Sequence, residues 1–218
     1  MTKSQIIARL DTFVATTERA NGVYAYEHIT KINPNPYSTT YGIGGSFDYP
    51  IQQSRQEIYA LIELLLDYPR DVILETGCGE WGGTHFLWQS MFNKVITVEV
   101  TQSIVDKISY PLTEQDVFIV KDSRLALDDV KKVTDSVDVL LLDSHHVWDV
   151  LDAEYRLYAP LVRPGGLILF HDALSPLFPD VGRWLAELQA GHIDNETHEL
   201  SYIDNSPGEK IGIAYMIA

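Results

Sequence analysis

The sequence predicts an α/β fold: a doubly wound, mostly parallel sheet of seven strands that finishes in a C-terminal antiparallel hairpin. Three observations predict it. From Ile51 onward, short apolar runs alternate with segments of helical composition; the first five runs lack the polar alternation of a half-exposed strand; and the last two flank a polar turn. Strands that are apolar along their length and joined by helices belong in a parallel sheet covered on both faces, with right-handed crossovers.

The elements follow in order. Residues 2–19 place Ile6, Ile7, Leu10, Phe13 and Val14 at helical spacing, so an amphipathic first helix is expected. Residues 21–50 are rich in Asn, Gly, Pro and Tyr and show neither helical nor strand period. An irregular stretch of this length is either a functional lid or pocket wall, or an arm or leader. The expected division is therefore 1–50, helix plus lid or arm, and 51–218, a single α/β domain.

A helix over 51–68 is bracketed by Pro50 and Pro69 and carries Ile58, Leu61, Ile62 and Leu65 on one face. Strands are expected at 72–74, 95–98, 117–120, 137–142 and 167–170, separated by helices at 84–92, 102–109, 124–133 and 147–162. Pro164-Gly165-Gly166 reads as a turn. After a helix over 181–189, the runs 198–203 and 211–217 flank residues 204–210, which form the hairpin turn.

Composition excludes several functions. A formal net charge of −15 repels polyanions, so nucleic acid is not an expected partner. The single cysteine, Cys78, has no internal disulfide partner, and no apolar run reaches the length of a membrane span or signal core. A cytoplasmic protein without a membrane partner is expected, with a homo-oligomer as one possible state.

The densest signal is Val72-Ile73-Leu74-Glu75-Thr76-Gly77-Cys78-Gly79-Glu80-Trp81-Gly82-Gly83, an apolar strand running into a four-glycine turn and then a helix. A nucleotide cofactor needs such a loop, because the backbone must turn tightly and approach the ligand without a Cβ. Gly77, Gly79 and Gly82 also satisfy G-x-G-x-x-G, and Glu99 ends the next strand where an acid would hold ribose hydroxyls. An NAD(P)-dependent oxidoreductase on a Rossmann fold is therefore a rival reading. The sign of charge favours another cofactor. A Glu75 carboxylate beneath the loop could accept from loop amides or from an amino group, but it would repel a pyrophosphate.

Glu75-Thr76-Gly77-Cys78-Gly79, followed by Ile96-Thr97-Val98-Glu99, resembles motif I and the ribose-binding acid of class I S-adenosylmethionine-dependent methyltransferases. Val117-Phe118-Ile119-Val120-Lys121-Asp122-Ser123 is similar to that family's third strand, whose terminal acid and small polar neighbour lie near the adenine. A second dense run, from Val139-Leu140-Leu141-Leu142-Asp143-Ser144-His145-His146 through Asp149 and Glu154 to Leu161-Val162-Arg163-Pro164-Gly165-Gly166-Leu167-Ile168-Leu169-Phe170-His171-Asp172, narrows the likeness. It resembles the branch holding cephalosporin-hydroxylase-like and macrocin-type sugar O-methyltransferases, and more distantly catechol O-methyltransferase.

The resemblance covers roughly residues 52–217. It implies a Rossmann-like fold, S-adenosylmethionine as cofactor and a hydroxyl of a sugar or secondary metabolite as acceptor. The implied cofactor residues are Glu75, Gly77, Cys78, Gly79, Trp81, Gly83, Thr84, Glu99, Asp122, Ser123 and Asp143. A divalent cation, Mg2+ or Mn2+, would be held by Asp143, His171 and Asp172. His146 aligns with the catalytic base, with His145 second and Asp143 counted among the catalytic residues. His171 stands where many relatives have an acid; magnesium prefers oxygen ligands, whereas imidazole suits manganese, iron, cobalt or zinc.

The chemistry asks little of the protein. A sulfonium methyl is already activated, so the acceptor oxygen must be close, aligned and deprotonated. A cation lowers the hydroxyl pKa, and a base near neutral pKa, such as histidine, removes the proton.

Plainer roles stand beside these. Asp122 could cap the following helix. Asp143 could do the same for the helix near Val147, and His146 could bond to backbone in its first turn. His171-Asp172 could simply end a strand. Trp81 could be a packed aromatic, Trp88, Trp148 and Trp184 read as core, and Cys78 as a small filler. A homologue that binds the cofactor without transferring anything is the remaining alternative.

Overall fold

A computed structural model describes residues 1–10, 55–79, 82–108, 110–203 and 212–218. The second half of the expected first helix, the segment 21–50, Trp81 and the hairpin turn 204–210 lie outside the described residues. Residues 3–10 are helical (α1), burying Ile6 and Leu10. The chain then runs α2 (Arg55–Leu66), β1 (Val72–Thr76), α3 (Gly83–Gln89), β2 (Lys94–Glu99), α4 (Gln102–Val105), β3 (Asp116–Val120), α5 (Leu127–Lys131), β4 (Val137–Leu142), α6 (Trp148–Tyr158), β5 (Val162–Phe170), α7 (Pro179–Gln189), β6 (Ser201–Ile203) and β7 (Ile213–Ile217). Among the described residues no helix is long and apolar enough to cross a membrane.

The strands form one sheet in the order β3-β2-β1-β4-β5-β7-β6. The first five strands pair in parallel. β7 runs antiparallel to both β5 and β6, so the expected hairpin is present, with β7 inserted next to β5. This order departs from the all-parallel 3-2-1-4-5-6 sheet of dinucleotide-binding enzymes.

Each central strand feeds two cores, because successive side chains point to opposite faces. Leu74, Leu140 and Leu142 join one cluster with Tyr155, Tyr158 and Trp184 of α6 and α7. Ile73, Val139 and Leu141 join the other, with α1, α2 and α3, including Trp88. Burial on both faces is what removes polar alternation from these strands.

Several boundaries differ from the sequence expectation. The helix expected over 147–162 ends at Tyr158, and Pro160 sits in a 3-10 turn, Ala159–Leu161, that leads into β5. The helix expected over 124–133 divides into a 3-10 turn, Ser123–Leu125, and α5, because the Asp122 side chain caps the turn by accepting from Arg124 N. Among the described residues of 102–109, only Gln102–Val105 is helical. Pro164-Gly165-Gly166 is part of β5 rather than a free turn. Val137 pairs with Val162 and Val139 with Leu167, so the extra residues bulge outward. Gly165 N donates to Ala218 O at 2.8 Å and Ala218 N to Gly166 O at 3.0 Å, which ties the bulge to the chain end.

The strand order reverses between β1 and β4, and the crevice at the carboxyl ends of these two strands is where open α/β sheets bind ligands.

Candidate functional site

Gly77 begins the loop after β1, and its amide donates to Val98 O at 2.9 Å. Its φ is 77°, and a Cβ here would collide with the Asp143 carbonyl oxygen and stand 3.0 Å from Ser144 Cα. The loops that leave β1 and β4 therefore touch, and only glycine permits it. Gly79 also has positive φ. Gly83 and Thr84 are buried at the start of α3, and Thr84 Oγ1 has no hydrogen-bond partner among the described residues. Cys78 is buried, and its thiol pKa is pushed far up by burial and by Glu75 and Glu99, which suits a filler and not a nucleophile.

The Glu75 carboxylate is bonded by side chains of the sheet and α3 and makes no hydrogen bond to a loop amide among the described residues. Strand alternation sends it to the face of Ile73, where it accepts from Trp88 Nε1 at 2.7 Å and Thr97 Oγ1 at 2.6 Å. His85, also fully buried, has Nδ1 2.6 Å from Thr97 Oγ1 and Nε2 3.1 Å from Asp116 Oδ1. Burial alone would lower the His85 pKa, but Asp116 and Glu75 outweigh it and raise it. The acid beneath the loop belongs to a buried ionic network that braces β1, β2, β3 and α3. Sequence reasoning missed His85; the available signal was a polar residue directly before the apolar stretch Phe86-Leu87-Trp88.

At the next strand ends, Glu99 is buried and accepts from Thr101 N at 2.9 Å. Asp122 behaves as the cap that the sequence allowed. It accepts from Arg124 N, Nε and Nη2 at 3.0, 2.9 and 2.6 Å, and the guanidinium holds its pKa down at about 2. Ser123 is buried, and its carbonyl accepts from Tyr158 Oη.

Glu154, to which the sequence assigned no role, lies buried on α6. Its carboxyl accepts from Thr76 Oγ1 at 3.1 Å and from Ser144 Oγ. Burial raises its pKa, while the hydroxyls of Ser123, Ser144 and Thr76 oppose the shift. One side chain thus ties together the ends of β1 and β4 and the turn after β3.

Asp143, His146, His171 and Asp172 converge at the ends of β4 and β5, with one potential ligand atom from each lying within 4.8 Å of the others. His171 Nδ1 is 2.9 Å from Asp143 Oδ1 and 3.1 Å from Asp172 Oδ2. His146 Nε2 is 3.4 Å from Asp143 Oδ1 and 3.0 Å from Asp172 Oδ2. Asp172 has φ 55°, a left-handed conformation uncommon outside glycine, which turns its carboxylate back over the strand end. His146 stacks on Phe178 with centroids 4.4 Å apart. His145, on the same loop, is exposed.

Electrostatics follow from this packing. Burial would lower the His171 pKa, but Asp143 and Asp172 hold it well above its ordinary value. Burial would raise Asp143, but His171 and His146 hold it at about 2. The capping role considered for Asp143 is not seen: Val147 is the N-cap of α6, and Trp148 N is bonded by Asp180 Oδ2 at 3.2 Å. Two carboxylates beside His171 Nδ1 and beside His146 Nε2, which has no hydrogen-bond partner among the described residues, form a donor set that fits a divalent cation.

The sheet order and the carboxyl-edge site define the class: an α/β protein of the Rossmann-like methyltransferase fold. Within it, the family model described as Rhamnosyl O-methyltransferase/CmcI matches residues 40–192, and the chain belongs to that family. Among solved structures it is similar to the MycE methyltransferase of the mycinamycin biosynthetic pathway, in complex with Mg, SAH and mycinamycin VI. The identity is 19% and the TM-score 0.56, over 88% of this chain and 54% of that one. The chain thus spans about half the length of MycE. It is also similar to the O-methyltransferase TomG of Streptomyces achromogenes, involved in tomaymycin synthesis and bound to SAM (18%, TM-score 0.58, 79% and 83% covered). A third similar structure is an O-methyltransferase from Bacillus cereus in complex with SAH (15%, TM-score 0.55, 96% and 100% covered). Among curated proteins no match is found.

Proposed function

We propose that this chain transfers the methyl group of S-adenosylmethionine to a hydroxyl of a small molecule, a sugar or another secondary metabolite, with help from a divalent cation. The observation that carries the reading is the Asp143, His146, His171 and Asp172 cluster, built beside the glycine loop at the point where the sheet order reverses. Family membership supports it, as do the SAM, SAH and Mg in the similar structures.

In this reading Gly77, Cys78, Gly79, Gly83 and Thr84 line the cofactor loop, and Glu99, Asp122 and Ser123 mark its ribose and adenine side. Glu75 contributes from beneath, through the buried network. Asp143 stands where the two halves meet, its amide donating to Thr76 O at 3.1 Å and its carboxylate facing the cluster. Asp143, His171 and Asp172 would hold the cation. When bound, the cation lowers the pKa of the acceptor hydroxyl and orients it. The cluster's role is then positional: it fixes the hydroxyl oxygen for in-line attack on the methyl carbon, and a histidine, His146 or His145, takes the proton.

The test is transfer of labelled methyl from S-adenosylmethionine to a panel of hydroxylated sugars and phenols. Label should enter a product in the presence of Mn2+ or Mg2+ and disappear with excess chelator. Full activity in chelator would remove the cation from the mechanism. Calorimetry that showed binding of NAD or NADP, and none of S-adenosylhomocysteine, would remove the methyl transfer itself.

A further inference from the structure

The four groups at the strand ends are spaced as though around a common centre. Their adjacent donor separations are 2.9, 3.0, 3.1 and 3.4 Å, running between Asp143 Oδ1, His146 Nε2, Asp172 Oδ2 and His171 Nδ1. Donors bound at about 2.1 Å lie about 3.0 Å apart in an octahedron and about 3.4 Å apart in a tetrahedron. His146 Nε2 is buried and this near to two carboxylates, yet it makes no hydrogen bond to either. Its ring is pinned by Phe178, so the nitrogen is held in place instead of swinging toward solvent. His171 is buried to 5% exposure, and its second ring nitrogen also lacks a partner among the described residues.

Resting on the cation-assisted reading above, we infer that His146 is a fourth ligand and that the site is a two-carboxylate, two-imidazole centre selecting manganese, iron, cobalt or zinc over magnesium. Magnesium demands near-ideal octahedral oxygen coordination and parts reluctantly with water, whereas imidazole favours the later divalent ions. A ring nitrogen bound to a cation has no lone pair left for a proton, so His146 is a positioning residue and proton removal falls to another group.

The experiment uses the full chain stripped of metal, titrated separately with CoCl2, MnCl2 and MgCl2, with S-adenosylhomocysteine titrated into the same samples. Cobalt and manganese should bind at least about tenfold more tightly than magnesium. Pulsed electron paramagnetic resonance of the manganese-loaded protein should show two coupled imidazole nitrogens. His146→Ala should remove one coupling and weaken cobalt binding at least about tenfold, and His171→Asp should shift preference toward magnesium. Magnesium binding as tight as cobalt, or fewer than two nitrogen couplings in the unmutated chain, overturns the inference even if a variant fails to fold. Adenosylhomocysteine binding without cation selectivity sinks this inference and leaves the methyl-transfer reading standing. Selective cobalt binding through two nitrogens without adenosylhomocysteine binding does the reverse.

Discussion

Gly77 is glycine for two independent reasons, its positive φ and the Asp143 carbonyl that occupies the space of any Cβ. Replacing it with alanine forces the β1 and β4 loops apart at the cofactor crevice. Gly77→Ala should cost about 1–3 kcal/mol of stability and abolish measurable adenosylhomocysteine binding; thermal melting and calorimetry read the two effects separately. Glu154 makes a contrasting case, since no ligand need touch it. Truncation to alanine leaves the hydroxyls of Thr76 and Ser144 without their acceptor and should cost about 1–3 kcal/mol in urea denaturation, with Glu154→Gln milder. The residue-scale lesson is direction. That Asp143 and Asp172 stand at strand ends was legible from apolar runs stopping at an acid. The turning of Glu75 away from the loop was not, because it depends on Trp88 and Thr97 packing against the same face of β1.

At the scale of elements, α3 is held to the sheet by ionic contacts inside an apolar interface. His85 lies between Glu75 and Asp116 and stacks on Phe118 at 4.2 Å. The signs of the two pKa shifts define a pH window. Asp116 falls from 3.8 to about 2, with bonds from His85 and Thr113 overcoming burial, so its contribution is present above 3.8 and lost as pH drops toward 2. His85 is raised above 6.5, so its contribution is complete below 6.5 and lost as pH climbs through the folded value. The stability supplied by the pair should therefore be greatest between these limits. Melting temperature against pH, compared with Asp116→Asn, should show the difference between the two proteins narrowing on both sides; a difference flat from pH 3 to 9 would refute the network. Helix ends were the least legible elements. The split at Ala126 and the early end at Tyr158 follow from the Asp122 cap and from Pro160, local events that apolar periodicity does not report.

For the whole molecule, one sheet with two cores gives a scaffold whose carboxyl edge gathers residues from far apart in the chain. A ligand that binds only the folded state stabilises it in proportion to occupancy. Adenosylhomocysteine at about 100 times its dissociation constant should add about 2.7 kcal/mol and raise the melting temperature by several degrees, while NAD at equal concentration leaves it unchanged. The reverse pattern would point to the oxidoreductase reading that the glycine spacing first allowed. The sheet already argues against that reading, because β7 lies antiparallel between β5 and β6.

The alternation of strands and helices, the glycine turn and the acids that close each strand could be read from the chain alone, because each is a local property of spacing and composition. Three things awaited the assembled sheet: the insertion of β7 beside β5, the commitment of Glu75 to protein partners, and the entry of His146 between two carboxylates. Each depends on which face a side chain takes and on what a distant segment presents opposite it, and no stretch of sequence carries that information.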